Sequence, residues 1–215
     1  MKEAFKFTKI DHSISKGQWK IFLMFIILAV VLSVTMDSSL FVPIYLAFGS
    51  VILSTSPFSL ENSSLCSFVN LLPASTRSRV QGRFFFSTYY LGIGMVISEL
   101  SAISKIVMGK TNDILLMLIF PVFIVAVSLI FVSIEYVLLY ALGNTKGKQY
   151  MKLICMAPGF VLFFITSAFS DQIMGLAGAK QLLVTILFIG IIVGLLCYIA
   201  AIEISIMIVK KRDSI

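Results

Sequence analysis

Charged residues are scarce in this sequence. Asp, Glu, Lys and Arg make up only 13% of the 215 residues, whereas 59% are hydrophobic and the mean hydropathy is +1.05. A water-soluble domain needs more charge to cover its surface, so the composition predicts a polytopic membrane protein. The net charge of +7 comes from Lys and Arg placed between apolar runs. Because these residues do not form one patch, we expect no nucleic-acid partner.

Residues and motifs that carry catalysis are also few. There is one histidine, His12, and the three cysteines, Cys66, Cys155 and Cys197, are odd in number and far apart. This spacing predicts neither a disulfide framework nor a metal site. The sequence lacks a GxxxxGK[ST] phosphate loop, an HExxH motif and a CxxC pair. We therefore expect no catalytic residue, metal or cofactor on this chain, and any ATP used must be hydrolysed by another chain.

Six apolar runs are long enough to cross the hydrocarbon layer, which takes about 20 helical residues. In lipid the backbone must satisfy its own hydrogen bonds, and the alternating short strands of a barrel are absent. The sequence thus predicts an all-α, six-helix transmembrane domain over 1–215. The predicted spans are Trp19–Met36, Leu40–Ser56, Phe84–Ile106, Ile114–Leu142, Leu153–Phe169 and Leu182–Val209.

Lys and Arg are distributed unequally between the two sides of these spans. Only Lys105, Lys110 and Lys180 of the 17 basic residues fall on one side. Because cytoplasmic loops carry the excess of Lys and Arg, both termini and the connections at 57–83 and 143–152 are predicted to be cytoplasmic. The basic residues on the cytoplasmic side are Lys2, Lys6, Lys9, Lys16, Lys20, Arg77, Arg79, Arg83, Lys146, Lys148, Lys152, Lys210, Lys211 and Arg212.

The N-terminal segment 1–18 combines lysines with apolar residues at helical spacing. Phe7, Ile10 and Ile14 fall on one side of such a helix, and Trp19 follows where an interfacial aromatic anchor belongs. We predict a basic amphipathic helix that lies in the headgroup region among membrane lipids. A solvated basic tail is the simpler alternative.

The longest polar interruption after the N-terminus is the predicted cytoplasmic elbow, residues 57–83, between the second and third spans. Its middle part reads as a short helix with one apolar face, which Pro73 ends. Ser75 is suited to cap a second helix, in which Arg79 and Arg83 lie four residues apart on one face. The apolar face of the first helix consists of Leu65, Phe68, Val69 and Leu72.

Three carboxylates fall inside apolar runs, and each has two interpretations. Glu99, Glu135 and Glu203 are costly in hydrocarbon, so they serve either an ion relay or structural pairing. Glu99 is within two turns of the outer end of its run. Glu135 and Glu203 lie nearer the inner ends, where water and Lys146 or Lys210 are expected to reach them, and this depth favours structural pairing.

Gly190 and Gly194 form a GxxxG step in the last run. Small residues at this spacing let two helices approach closely. The sequence leaves open whether the step packs within one chain or between two subunits.

Two predicted cytoplasmic segments resemble motifs of a known family. LLPASTRSRVQGRFF at 71–85 is similar to the segment that follows the coupling helix in six-helix permeases of the ABC-2 exporter type. YALGNTKGKQYMK at 140–152 is similar to the loop after their fourth helix. Within that family the chain looks most like the permease subunits of bacterial exporters for phenol-soluble modulins and related antimicrobial peptides. The resemblance implies a multi-pass protein of the bacterial plasma membrane.

The family resemblance also implies partners and a mechanism. A dimer of permeases, either two copies or a copy and a paralogue, would bind ATP-binding cassette ATPase subunits that hold ATP and Mg²⁺. By matching position, the coupling helix would be Glu61–Leu72, with Pro73, Arg77 and Val80 holding the elbow. An acidic pair often precedes this helix in the family, whereas Glu61 stands alone here, and Arg83 replaces the commoner Lys.

The resemblance assigns two further groups of residues. The second cytoplasmic loop would contain Gly143, Lys146 and Lys148. Family members line the exit path mainly with helices one, two and five, which places Phe41, Tyr45, Phe163 and Phe164 on the path of a peptide substrate.

Two other classes of function stay open at this point. One is an immunity or sensor protein that binds a toxic peptide in the membrane without ATP-coupled transport. The other is an ion-coupled secondary transporter, which would need an intramembrane carboxylate.

Overall fold

The computed structural model describes residues 2–35, 41–60, 75–109, 114–115, 117–143, 150 and 180–213. Within these ranges all regular structure is helical and no strand occurs, which confirms the predicted all-α class for the described part. A short 3-10 turn, Lys16–Gln18, joins the first two helices. The helices are α1 Lys2–Ile14, α2 Trp19–Thr35, α3 Phe41–Ser54, α4 Ser56–Leu60, α5 Thr76–Val107, α6 Met117–Gly143 and α7 Lys180–Asp213.

Five described helical segments are long and apolar enough to cross a membrane. They match five of the six predicted runs. The remaining predicted run, Leu153–Phe169, lies outside the described residues, so the six-span count and the sidedness of the termini stay predictions. The five segments are Lys16–Thr35, Val42–Leu60, Thr76–Val107, Met117–Gly143 and Val184–Arg212.

Helix α5 is the element around which the described helices assemble. It contacts α1, α2, α3 and α7, and its Phe84 and Leu91 share one buried cluster with residues of α6. Close approach to α3 depends on Gly94, where an added Cβ would lie 2.9 Å from the hydroxyl of Ser50. That hydroxyl donates to the carbonyl of Tyr90 on α5, at 3.2 Å. Helix α5 therefore holds the spans together.

The glycine step of α7 packs within the chain. A Cβ on Gly190 would lie 2.5 Å from the ring of Phe123, and one on Gly194 would lie 2.5 Å from the carbonyl oxygen of Ala126. Both neighbours belong to α6. The sequence left open whether this step packs within one chain or between two subunits. In the structure it packs against another helix of the same chain.

The spans differ in how deeply they are buried. In the most apolar 18-residue stretch of each span, 72% of the stretch is buried in Val42–Leu60, against 11% in Lys16–Thr35 and 17% in Val184–Arg212. The outer faces of α2 and α7 are apolar, as expected of helices that face lipid. Helix α3 is the inner helix of the described bundle.

Candidate coupling site

The middle of the elbow lies outside the described residues, whereas both of its ends are described. The predicted coupling residues Glu61, Leu65, Phe68, Val69, Leu72 and Pro73 fall in 61–74 and stay predictions. Lys146, Lys148, Phe163 and Phe164 also lie outside the described residues, so their assigned roles stay predictions. The chain enters the elbow through α4 and leaves it through α5.

The exit from the elbow has the predicted helix cap. Ser75 has an extended backbone, φ −67° and ψ 143°, and its hydroxyl accepts a hydrogen bond from the backbone N–H of Ser78 at 3.2 Å. This satisfies one of the N–H groups that the first turn of a helix leaves without a partner. Arg79 lies in the same turn and donates to the hydroxyl of Thr76 at 3.4 Å. The first two turns of α5 are therefore helical although they are polar.

Arg77 connects the elbow exit to α7. Its guanidinium lies 2.8 Å from a carboxylate oxygen of Glu203, and the two side chains are 59% and 52% exposed. Glu203 is thus paired and exposed, as its depth led us to expect, but its ion-pair partner is Arg77 on another helix rather than Lys210. An exposed pair of this kind contributes little stability, about 0–1 kcal/mol. The pair joins the start of α5 to α7.

The entry to the elbow is fixed by Phe58 of α4, which is buried. Its ring meets Tyr136 and Tyr140 of α6 edge-on, at centroid distances of 5.1 Å and 5.2 Å. The hydroxyl of Tyr136 donates to the carbonyl of Ser54, where α3 ends, at 2.6 Å. The α3–α4 corner is therefore held from α6 by both apolar and polar contacts.

Arg83 joins the two ends of the elbow. From α5 its guanidinium lies 4.5 Å above the ring of Phe58 on α4, within cation–π range. Its Nε is also 3.9 Å from a carboxylate oxygen of Asp11 on α1, and both side chains are nearly buried. One side chain thus links α1, α4 and α5. Of these, α4 and α5 flank the segment that the family resemblance assigns to the ATPase.

Helix α1 packs along the exit helix rather than standing apart from the protein. The hydroxyl of Thr8 donates to the carbonyl of Gly82 at 2.9 Å, and Phe5 stacks on Phe85 with centroids 5.4 Å apart. A Cβ on Gly82 would lie 2.6 Å from the Cβ of Phe7. The predicted helix is therefore present, but Phe7 on its apolar face packs against α5.

Of the remaining family-assigned residues, four have described positions. Val80 is buried in the same apolar cluster as Phe58. Gly143 ends α6 with φ +70°, a left-handed conformation that favours glycine, and a Cβ there would lie 3.7 Å from the guanidinium of Arg212. Tyr45 is half-buried on α3 and packs against Phe25 at 5.1 Å. Phe41 begins α3. No contact tests their assigned roles.

The intramembrane carboxylates do not form a relay along α5. Glu203 pairs with Arg77 at the start of α5, whereas Glu99 lies 22 residues later on the same helix. At 1.5 Å per residue that separation is about 33 Å.

Glu135 is 2% exposed, and neither of its oxygens has a hydrogen-bond partner in the described part of the chain. Lys146 lies outside the described residues, so the expectation that it reaches Glu135 stays a prediction.

Sequence reasoning missed three residues of the site, namely Asp11, Phe58 and Tyr136. Asp11 is an acidic residue among lysines, and Phe58 is an aromatic residue at the start of the elbow. These local signals would have drawn attention to both. Nothing local distinguishes Tyr136 from the other aromatic residues of its run, because its partner Ser54 is 82 residues away.

Comparison with known proteins identifies one family. The model for "ABC-2 family transporter protein" matches residues 11–210, nearly the whole chain. No curated protein and no solved structure matches the chain.

Proposed function

The chain belongs to the ABC-2 transporter family, and on that premise we propose that it is the membrane permease subunit of an ATP-driven exporter. A separate ATP-binding cassette ATPase binds ATP and Mg²⁺ and hydrolyses ATP. The elbow, with Phe68 and Leu72 on its apolar face, docks on that ATPase. The permease works as a dimer with a second copy or a paralogue, in the bacterial plasma membrane.

The observation that carries this proposal is the position of Arg83. Because it contacts Phe58 at the entry and Asp11 beside the exit, a force on residues 61–74 acts on both ends together. Phe58 passes the displacement to α6 through Tyr136, and Arg77 passes it to α7 through Glu203. The elbow is thus built to move several helices rather than one.

The proposed substrate is an amphipathic or antimicrobial peptide. An apolar, aromatic-rich path with few fixed charges suits such a peptide better than a small charged solute, which would need convergent polar groups. Phe41, Tyr45, Phe163 and Phe164 are the residues proposed to contact it. The substrate class rests on the family resemblance.

Co-purification with the ATPase tests the elbow. The chain is expressed together with a candidate ATP-binding cassette subunit, and the double variant Phe68→Asp/Leu72→Asp is compared with Ser67→Asp/Asn70→Asp. The second pair adds the same charge to the predicted polar face. We expect the first variant to lose the ATPase and the second to keep it, with unchanged thermal unfolding of the permease in both.

The same experiment separates the permease from its rivals. An immunity or sensor protein, or an ion-coupled transporter, would not retain the ATPase even as the unmodified chain. If Phe68→Asp/Leu72→Asp retained the ATPase as well as the unmodified chain does, the elbow would be only a connector.

The burial of Glu135 favours the ion-coupled alternative and gives it a separate test. Glu135 has no hydrogen-bond partner among the described residues, and a buried carboxyl of this kind is costly, which suits a group that binds and releases a proton. The permease proposal predicts that Glu135→Gln leaves transport largely intact, because ATP supplies the energy. Complete loss of peptide transport with normal membrane expression would favour the ion-coupled alternative.

A further inference from the structure

Helix α1 turns its acidic residues toward the protein. Glu3 accepts a hydrogen bond from the hydroxyl of Ser78 on α5 at 3.2 Å. Asp11 is 5% exposed, and its carboxylate lies 3.9 Å from Arg83 on α5. These are the two acidic residues of α1, and both interact with the exit helix.

Two lysines of the same helix, Lys6 and Lys9, turn outward. Lys6 and Lys9 are exposed and three residues apart, on the side opposite to the buried Ala4 and Phe7. Lys16 is also exposed in the turn that follows α1. We call Lys6, Lys9 and Lys16 the basic face. It carries three positive charges, and both carboxylates of α1 are engaged by α5.

The basic face lies at the level where the spans end. The first candidate span begins at Lys16, and Trp19 follows it, half-buried. Phe5 is 55% exposed, and it stacks on Phe85 within the segment Thr76–Val107. An exposed aromatic ring beside a span, next to outward lysines, is typical of a helix in the headgroup region.

We propose that the basic face of α1 is a binding surface for anionic phospholipid headgroups. Charge complementarity selects anionic over zwitterionic headgroups, because only the former carry net negative charge at the surface. Each lysine near an anionic surface strengthens binding by about fivefold. The basic face is held in place on α5, because Thr8 bonds to Gly82 and the two helices approach too closely for any side chain there.

Trp19 provides the measurement, since it is the only tryptophan in the chain. It lies beside α1 and α5, because its indole N–H donates to His12 at 3.0 Å and its ring is 6.3 Å from that of Tyr89. The full chain is reconstituted in bilayers in which either phosphatidylglycerol or phosphatidylcholine carries brominated acyl chains. Quenching of Trp19 fluorescence then gives the relative binding of the two lipids.

We expect the unmodified chain to prefer phosphatidylglycerol several-fold, and Lys6→Gln/Lys9→Gln to remove most of that preference. Lys6→Arg/Lys9→Arg keeps the charge and should keep the preference. Lys210→Gln removes an exposed lysine from the end of α7 and should leave it unchanged. Raising the salt concentration should weaken the preference of the unmodified chain.

Equal quenching by both lipids in the unmodified chain would overturn the proposal, as would an unaltered preference in Lys6→Gln/Lys9→Gln. If that variant kept its lipid preference but lost the ATPase on co-purification, the basic face would be a protein-docking surface and the lipid proposal would be wrong. The quenching measurement contains no ATPase and no substrate. Its outcome is therefore independent of the proposed exporter function.

Discussion

The contacts at the elbow end differ in kind from the glycine contacts between α6 and α7. At the elbow end the contacts are directional: the guanidinium of Arg83 lies over the ring of Phe58, and the hydroxyl of Tyr136 donates to the carbonyl of Ser54. Inside the spans, Gly190 and Gly194 have no side chain and let α7 approach α6 closely. Directional contacts fix orientation and pass on a displacement, whereas close packing at glycine fixes only the distance between helices. On the proposed function, the elbow end is therefore the part suited to coupling, and the α6–α7 approach contributes to stability.

The largest effect on stability is expected inside the spans, for Gly194→Ala. The new Cβ would lie 2.5 Å from the carbonyl oxygen of Ala126, and backbone cannot move aside as a flexible side chain does. We expect a loss of about 1–3 kcal/mol, measured by thermal unfolding in detergent. Gly92→Ala is the control, since a Cβ there meets nothing within 4 Å. Equal unfolding temperatures for the two variants would show that the α6–α7 approach is not close.

Tyr136→Phe tests the directional contacts directly. The ring and its packing on Phe58 stay, while the buried carbonyl of Ser54 loses the hydroxyl that bonds it at 2.6 Å. We expect a cost of about 1–3 kcal/mol. Tyr89→Phe, in which the ring is 47% exposed, is the matched control and should change thermal unfolding by much less. If both variants unfolded like the unmodified chain, the corner at Ser54 would not depend on α6.

Gly82→Ala should release α1 from α5 with a smaller effect on the whole bundle. The Cβ would lie 2.6 Å from Phe7 and 2.8 Å from the carbonyl of Ala4, so α1 must shift. Hydrogen exchange of the backbone amides in 2–14 should become faster, while exchange within the spans stays as it was. Gly17→Ala, where a Cβ meets nothing within 4 Å, should leave α1 protected. Unchanged protection in Gly82→Ala would contradict the packing of α1 on α5.

The smallest effect on stability is expected for the exposed pair Arg77–Glu203. A double-mutant cycle with Arg77→Gln and Glu203→Gln should give a coupling of less than about 1 kcal/mol in thermal unfolding. Exchanging the charges, with Arg77→Glu and Glu203→Arg together, should restore ATP-driven transport that either single change weakens. If the exchanged pair transported no better than the single variants, the link from the elbow to α7 would not be used.

The sequence predicts well what lipid and local chemistry impose. Apolar runs must be helical in a bilayer, and a serine before a polar helical turn is a local cap, so α2 and the start of α5 at Thr76 follow from short stretches of residues. Contacts between distant residues do not follow in this way. Arg77 and Glu203 are 126 residues apart, and the nearer Lys210 was the natural expectation. The burial of Glu135 likewise depends on how the helices pack, which hydropathy does not determine.

The most direct test of the account is cross-linking from the elbow to the ATPase. Cys66 lies in the elbow and Cys197 is half-buried on α7, so two single-cysteine chains report on the two regions. Each chain is labelled with a photoreactive maleimide, in membranes that also contain the candidate ATP-binding cassette subunit that co-purifies with the permease. The account predicts a cross-linked permease–ATPase product from Cys66 and none from Cys197. If Cys66 gave no product while the ATPase still co-purified, the ATPase would bind elsewhere and the coupling role of the elbow would be wrong.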